Sequence, residues 1–197
     1  MAVVNPLVIA CTPTRAMVSS GFCSDLLALC RTSDLRWGWT PEASYLSNQR
    51  TLLARGALEL GATHILWLDS DMRFPPSTVE GLLARDVAMV GANYRNRQKP
   101  ECFTAQRDRA WVSSVGRHGV EAVESIGLGV TLIRTDVFRL LPEPWFPIEW
   151  SVEHQGHIGE DVGFCRRAGA AGISVWVDHD LSQHVSHLGE TALTVSV

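Results

Sequence analysis

Residues 63–68, Thr-His-Ile-Leu-Trp-Leu, form a short and almost wholly apolar run that ends abruptly in Asp69-Ser70-Asp71. A run of this length, followed at once by charge, predicts a buried strand whose carboxyl end reaches the surface. In an extended segment residues two apart point the same way, so Asp69 and Asp71 are predicted to converge on one spot. Two converging carboxylates repel each other unless a proton or a cation lies between them. Oxygen ligands suit a hard divalent ion such as magnesium or manganese. The same spacing also describes a solvated turn after a strand, and spacing alone does not choose.

The remaining pattern alternates strands with helices, which predicts an α/β fold on a mostly parallel sheet. Residues 3–11 are apolar on both faces and read as a central strand, ending at Thr12-Pro13-Thr14. Residues 20–31 read as a helix with Leu26, Leu27 and Cys30 on its inner side, and 35–39 as a short strand. A helix is predicted over 45–60 from the spacing of Leu46, Leu53, Ala57 and Leu60, with Gly61 as its C-terminal cap. Residues 75–84 begin a helix with Pro76 in its first turn, and 87–92 form another strand. The polar stretch 94–101 reads as a surface loop, and 103–124, with Gly116 and Gly119, as a hairpin. Leu132 and Ile133 read as a strand edge before a short helix at 137–141, and the prolines of 142–147 exclude regular structure. A helix over 159–169, a strand over 173–177 and a tail bearing His179, His184 and His187 complete the chain.

With 197 residues, the chain is long enough for one α/β domain over its whole length, and two would be cramped. A net charge of -4 argues against a non-specific nucleic-acid binder, which needs a basic face. The five cysteines show no C-x-x-C spacing, which argues against a zinc ribbon or disulfide framework and fits a reducing, cytoplasmic setting. The first apolar run is far shorter than the ~20 residues of a membrane span and lacks a basic leader, so neither a span nor an export signal is predicted.

Glu160 and Asp161 open a predicted helix, where free amides stabilise carboxylates, and they read either as a helix cap or as a general base facing a substrate. His187 can complete a metal shell with a carboxylate of the Asp69–Asp71 turn, with His184 and His179 as alternatives. Gly127 and Gly129 permit close approach of a ligand to backbone, or simply a turn. Arg15 and Arg50 are candidate phosphate or base contacts, or solvated arginines. Trp145 and Trp150 flank the proline-rich loop and either stack an acceptor ring or pack on the core.

Taken in order, these segments resemble the GT-A glycosyltransferases, in particular the short family-2-like type of phage and bacterial genomes. The resemblance runs from Leu7 to Gly189. It rests on Thr12-Pro13-Thr14-Arg15, Gln49-Arg50-Thr51, the strand into Asp69-Ser70-Asp71, Gly127-Leu128-Gly129, Gly159-Glu160-Asp161 and His187-Leu188-Gly189. Thr51 departs from the asparagine usual at that place.

The resemblance implies a Rossmann-like, mostly parallel sheet flanked by helices. It also implies transfer of a sugar from a nucleotide-diphosphate sugar, UDP- or GDP-linked, to an acceptor hydroxyl. The acceptor would be a glycan, a small molecule or a modified nucleobase. Asp71 and His187 would bind Mn2+ or Mg2+, with Asp69 at the metal or the ribose. Thr12, Pro13, Thr14, Arg15, Arg50 and Ser70 would line the nucleotide pocket, and Gly127 and Gly129 would lie beneath the donor sugar. Asp161 would be the base of an inverting reaction and Glu160 would orient the substrates. The family's usual acceptor-binding extension is short or missing, which leaves room for a homo-oligomer. Two other readings are a nucleotidyltransferase and a non-catalytic sugar- or nucleotide-binding protein on this fold. The first calls for a glycine-rich basic loop after strand one, and residues 12–21 hold one glycine and one arginine.

Overall fold

The computed structural model describes residues 6–14, 17–40, 45–97, 99–153, 155–189 and 193–194. At its centre lies a seven-stranded sheet built from β1 (Val8–Pro13), β2 (Leu35–Thr40), β3 (His64–Leu68), β5 (Met89–Ala92), β8 (Val120–Val123), β9 (Val130–Arg134) and β12 (Val175–Asp178), in the order β2-β1-β3-β9-β5-β12-β8. The β1 strand runs parallel to β2 and β3, and β12 parallel to β5. β9 runs antiparallel to both β3 and β5, and β8 antiparallel to β12. β1, β2, β3, β5 and β12 therefore all point one way and only β8 and β9 are reversed, so the sheet is mostly parallel in strand direction. With helices on both faces, it has the architecture that the resemblance implies.

Alternation along the strands assigns side chains to the two faces. Ile9, Cys11, Ile65, Trp67 and Ile133 share one hydrophobic cluster with Leu53, Ala54 and Ala57 of α2 (Leu46–Glu59) and Phe164 and Ala168 of α5 (Glu160–Ala170). Val8, Ala10, Leu66, Leu68 and Leu132 share the other with Phe22, Leu26 and Leu29 of α1 (Ser20–Thr32) and Val79 and Leu82 of α3 (Thr78–Leu83). Two further helices are short, α4 (Thr135–Leu140) and α6 (His179–Ser182). Small pairings complete the molecule: β6 (Gln106–Arg107) with β7 (Ala110–Trp111), β10 (Glu149–Ser151) with β11 (Gly156–Ile158), and β4 (Met72–Arg73) with β13 (Ser186–His187), which also pairs with β14 (Leu193–Thr194).

Several boundaries and faces differ from expectation. On α1 the inner stripe is Phe22, Leu26 and Leu29, spaced i, i+4, i+7, and Leu27 is 62 % exposed with Cys30 beside it in solvent. On α2 the inner face is Gln49, Arg50, Leu53, Ala54 and Ala57, whereas Leu46 and Leu60 are exposed. Gly61 takes the positive φ of 76° expected of a helix-ending glycine. The prolines at 75–76 precede α3 rather than open it, and the Thr78 hydroxyl donates back to the Pro75 carbonyl at 2.6 Å. Leu132 and Ile133 belong not to an edge but to β9, in the middle of the sheet. Of residues 103–124, only the β6–β7 pair is a hairpin, and β8 caps the main sheet.

Candidate functional site

The β3 strand points Ile65, Trp67 and then Asp69 toward the face on which α2 lies. The strand geometry stops there. The Met72 N–H donates to the Asp69 carbonyl at 3.0 Å, closing a turn, while the Asp69 N–H donates to the Gly129 carbonyl at 2.9 Å. Because the chain turns between them, the two carboxylates take different partners, although both line one cleft and the charge of Asp71 adds to the upward push on Asp69. Asp69 turns inward to Arg50, and Asp71 outward to His187 and Arg97.

Asp71 is met by a second segment. The β13 strand pairs with β4 so that His187 stands opposite Met72, and the Leu188 N–H donates to the Asp71 carbonyl at 2.7 Å. This register brings His187 Nε2 to 3.2 Å from Asp71 Oδ2, while Nδ1 lies 3.2 Å from the Arg95 carbonyl. Arg97 Nη1 donates to the same Asp71 oxygen at 2.9 Å. Burial pushes the Asp71 carboxyl up, but the hydrogen bond and charge of His187, with Arg97, outweigh it and hold the group below its ordinary value. Burial likewise opposes charge on His187, and Asp71 reverses that, holding the imidazole above its ordinary value. Of the three tail histidines, His187 is the one in contact with Asp71. Both ring nitrogens of His179 are engaged inside the fold, by Ser114 at 2.8 Å and Glu121 at 2.9 Å, and the His184 N–H closes the turn after α6.

Arg50 lies beneath this rim, almost fully buried. Its Nη2 donates to both oxygens of Asp69, at 2.9 and 3.2 Å, and its Nε to Glu160 Oε1 at 3.2 Å. The guanidinium lies 5.1 Å above the Trp67 ring, and Nη1 is buried without a protein acceptor. Arg50 is therefore a counter-ion inside the site rather than an open phosphate contact. Burial raises the Asp69 carboxyl and Arg50 opposes that, with the net direction upward.

Gly159 caps α5 and places Asp161 in its first turn. A Cβ on Gly159 would lie 2.8 Å from Asp161 Oδ1, so a side chain there would displace the carboxylate. That oxygen accepts the Val162 N–H at 2.7 Å. Burial first, then the charge of neighbouring Glu160, push Asp161 up to about 6, against the pull of the Val162 amide and Arg50. A carboxylate poised near neutrality suits proton abstraction.

Gly127 and Gly129 pack against Tyr94. A Cβ on either would lie 2.5 Å from the Tyr94 hydroxyl oxygen, which accepts the Gly129 N–H at 2.8 Å. Tyr94, read from sequence as part of a surface loop, is buried and meets the His187 ring edge-on at 5.4 Å.

A cleft of about 670 Å3 opens outside the carboxyl ends of β1 and β3, lined by Pro13, Thr14, Gln49, Asp69, Ser70, Asp71, Arg97 and Leu188 with an apolar side at Met17, Val18 and Leu46. Ligands of open α/β sheets bind at such a place. Thr12 does not reach it: the residue is fully buried and its hydroxyl accepts the Trp37 indole N–H at 2.9 Å. Arg15 lies outside the described residues. Gln49 braces the wall by donating to the Thr14 carbonyl at 3.1 Å. Trp145 packs in the core with its N–H on the Phe138 and Leu141 carbonyls, whereas Trp150 is 58 % exposed beside His157. A second cavity, about 470 Å3, opens elsewhere, around His64, Arg134 and Asp136, and holds none of the expected site residues.

Sequence reasoning missed Arg97, Gln49 and Tyr94. Tyr94 could have been found from its place two residues after an apolar strand. Among the described residues no group of three or more histidine, cysteine or acidic side chains lies together as a complete metal cage. Asp71 and His187 supply one carboxylate and one imidazole at the cleft rim. These donor types suit a divalent ion that draws its remaining ligands from outside the protein, and the imidazole favours manganese over magnesium.

No family model and no curated protein matches the chain. Among solved structures, the crystal structure of A197 from STIV superposes with a TM-score of 0.72 at 18 % identity, covering 96 % of this chain and 90 % of that one. The crystal structure of a glycosyltransferase involved in the glycosylation of the major capsid of PBCV-1 gives a TM-score of 0.40 at 15 % identity, covering 71 % and 70 %, a likeness too loose to bear on function. The chain shares its fold with A197 from STIV.

Proposed function

We propose that the protein is a glycosyltransferase that takes a sugar from a nucleotide diphosphate and passes it to an acceptor hydroxyl. The observation that carries this reading is the contact between Asp71 and His187 at the rim of a cleft floored by Asp69. Residues 116 apart in sequence are brought together there. Asp71 and His187 would hold the metal, which when bound offsets charge developing on the leaving diphosphate. Pro13, Thr14 and Ser70 line the wall against which the nucleotide would lie, and the apolar side at Met17 and Val18 suits a base. Asp161 would accept the acceptor's hydroxyl proton as its oxygen attacks the anomeric carbon, inverting the configuration while the bond to the diphosphate breaks. Remote binding of the nucleotide orients that carbon. The five cysteines are all free, which supports action in a reducing compartment such as the cytoplasm. No helix among the described residues is long and apolar enough to cross a membrane.

The test is a thermal-shift panel of UDP-, GDP- and dTDP-sugars with and without manganese. A rise in melting temperature that needs both the metal and one nucleotide supports the reading. A flat response to every pair would move the assignment to a binding protein of other specificity.

A further inference from the structure

We propose that Arg50 is a positioning residue that locks the carboxylate at the end of β3 to the carboxylate opening α5, holding the cleft floor at Asp69 and the first turn of α5 at a fixed separation. The functional half of this inference rests on the glycosyltransferase reading, whereas the clamp itself is a property of the free protein.

A guanidinium with 2 % of its side chain exposed is costly to desolvate, and it persists only where fixed counter-charges meet it. Here the counter-charges come from two elements whose contact residues, Asp69 and Glu160, are far apart in sequence. Two nitrogens of one rigid fork take one carboxylate each, and the flat face rests on Trp67. A lysine ammonium has charge but no fork and no flat face, so it cannot make all three contacts in one geometry.

The charge count then bears on the base. Arg50 brings one positive charge to Asp69, Glu160 and Asp161. It bonds the first two directly and reaches Asp161 through space only. Asp161 is thus the carboxylate of the three that the guanidinium does not bond, and burial and the charge of Glu160 push it up to about 6. The groups facing it are Glu160 on its own helix, Arg50 from α2 and Asp69 beyond the end of β3, and its own charge is felt at Tyr94 and Cys165. The clamp would therefore fix both where Asp161 sits and when it is ionised.

Nitrogen-15 side-chain spectra and carbon-13 carboxyl titrations on the full, ligand-free protein test the clamp without any substrate. In the wild type the Arg50 Nε–H should exchange slowly, and Glu160→Gln, which removes its charged acceptor, should speed exchange at least about tenfold. Fast exchange in the wild type would overturn the clamp. Arg50→Gln should raise the Asp161 midpoint by about one pH unit or more, the scale on which a nearby cation acts. Arg50→Lys should leave that midpoint near its wild-type place. An unmoved midpoint in a folded Arg50→Gln protein would refute the electrostatic part, and the exchange data stand even if that variant does not fold.

With manganese and whichever nucleotide sugar shifts the melt, Arg50→Lys should hold donor KM but lower kcat about 100-fold, as misplacement of reacting groups does. Unchanged kcat would remove the positioning role while leaving the glycosyltransferase reading intact. A blank nucleotide panel would remove that reading and leave the clamp to the spectra.

Discussion

Replacing Asp161 by asparagine should make the protein more stable and less active at once. The ordinary aspartate value is 3.8 and Asp161 is pushed up to about 6. Its folded state therefore binds the proton more tightly than the unfolded chain does. Below pH 3.8 both states are protonated and the site costs nothing. As pH rises from 3.8 to 6 the unfolded chain ionises first, and stability falls; above 6 the fold carries the full cost of a crowded charge. The interval corresponds to about 3 kcal/mol at most. Solvent at the partly exposed edge of the group lowers this, so about 1–3 kcal/mol is expected. Asparagine has the same shape, its Oδ1 can still accept the Val162 N–H, and it carries no charge toward Glu160. At pH 7.5 Asp161→Asn should melt roughly 2–10 °C higher than the wild type for a chain of this size. The gap should close as both are brought to about pH 4, the value near which an unperturbed aspartate titrates. Differential scanning calorimetry of the pair at several pH values measures this directly. A variant no more stable than the wild type at pH 7.5, or a gap that does not depend on pH, would refute the account of Asp161 as a destabilised carboxylate. Transfer by the same variant should fall by about 100-fold or more, the contribution of a general base.

Four further outcomes are expected. If Asp161 takes the acceptor's proton, kcat/KM should fall on acidification with a midpoint near 6, and a profile flat from pH 5 to 8 would exclude it. His187→Ala should weaken manganese binding, read by calorimetry with the nucleotide present, by at least the roughly 10–100-fold that loss of an outer-shell partner costs. Gly129→Ala puts a methyl 2.5 Å from the Tyr94 hydroxyl and 3.2 Å from the Met72 side chain and should destabilise by about 1–3 kcal/mol. Gly56→Ala, in α2 with nothing within 4 Å of the added carbon, should stabilise by about 0.5–1 kcal/mol, and urea unfolding of both glycine variants beside the wild type measures the two effects.

The α/β alternation and the strand that delivers Asp69 are legible in sequence because burial on both faces leaves a continuous apolar run, as β1 and β3 show. The direction of β9 is not legible, since an apolar strand looks the same read either way. Counting apolar residues alone chooses Leu46 and Leu60 on α2. The true inner face contains Gln49 and Arg50, polar groups that Thr14, Asp69 and Glu160 meet across the fold. No local signal marks an arginine whose partners lie 19 and 110 residues away. The parting of Asp69 from Asp71 is hidden for a related reason. Period-two reasoning assumes that the strand continues, and the strand ends in a turn closed by the Met72 N–H on the Asp69 carbonyl, just past the last pair with β9. His187 is suggested by its place in the resemblance, but its contact depends on the pairing of two-residue strands, β4 and β13, which have no pattern of their own.

That last pairing also sets an order in time. During synthesis the sheet strands β1 to β12 and the Arg50 contacts to Asp69 and Glu160 can all form before residue 187 emerges from the ribosome. Asp71 would wait through the making of more than half the chain for its imidazole partner. The sheet and the buried Arg50 contacts can therefore form before the contact between Asp71 and His187 does.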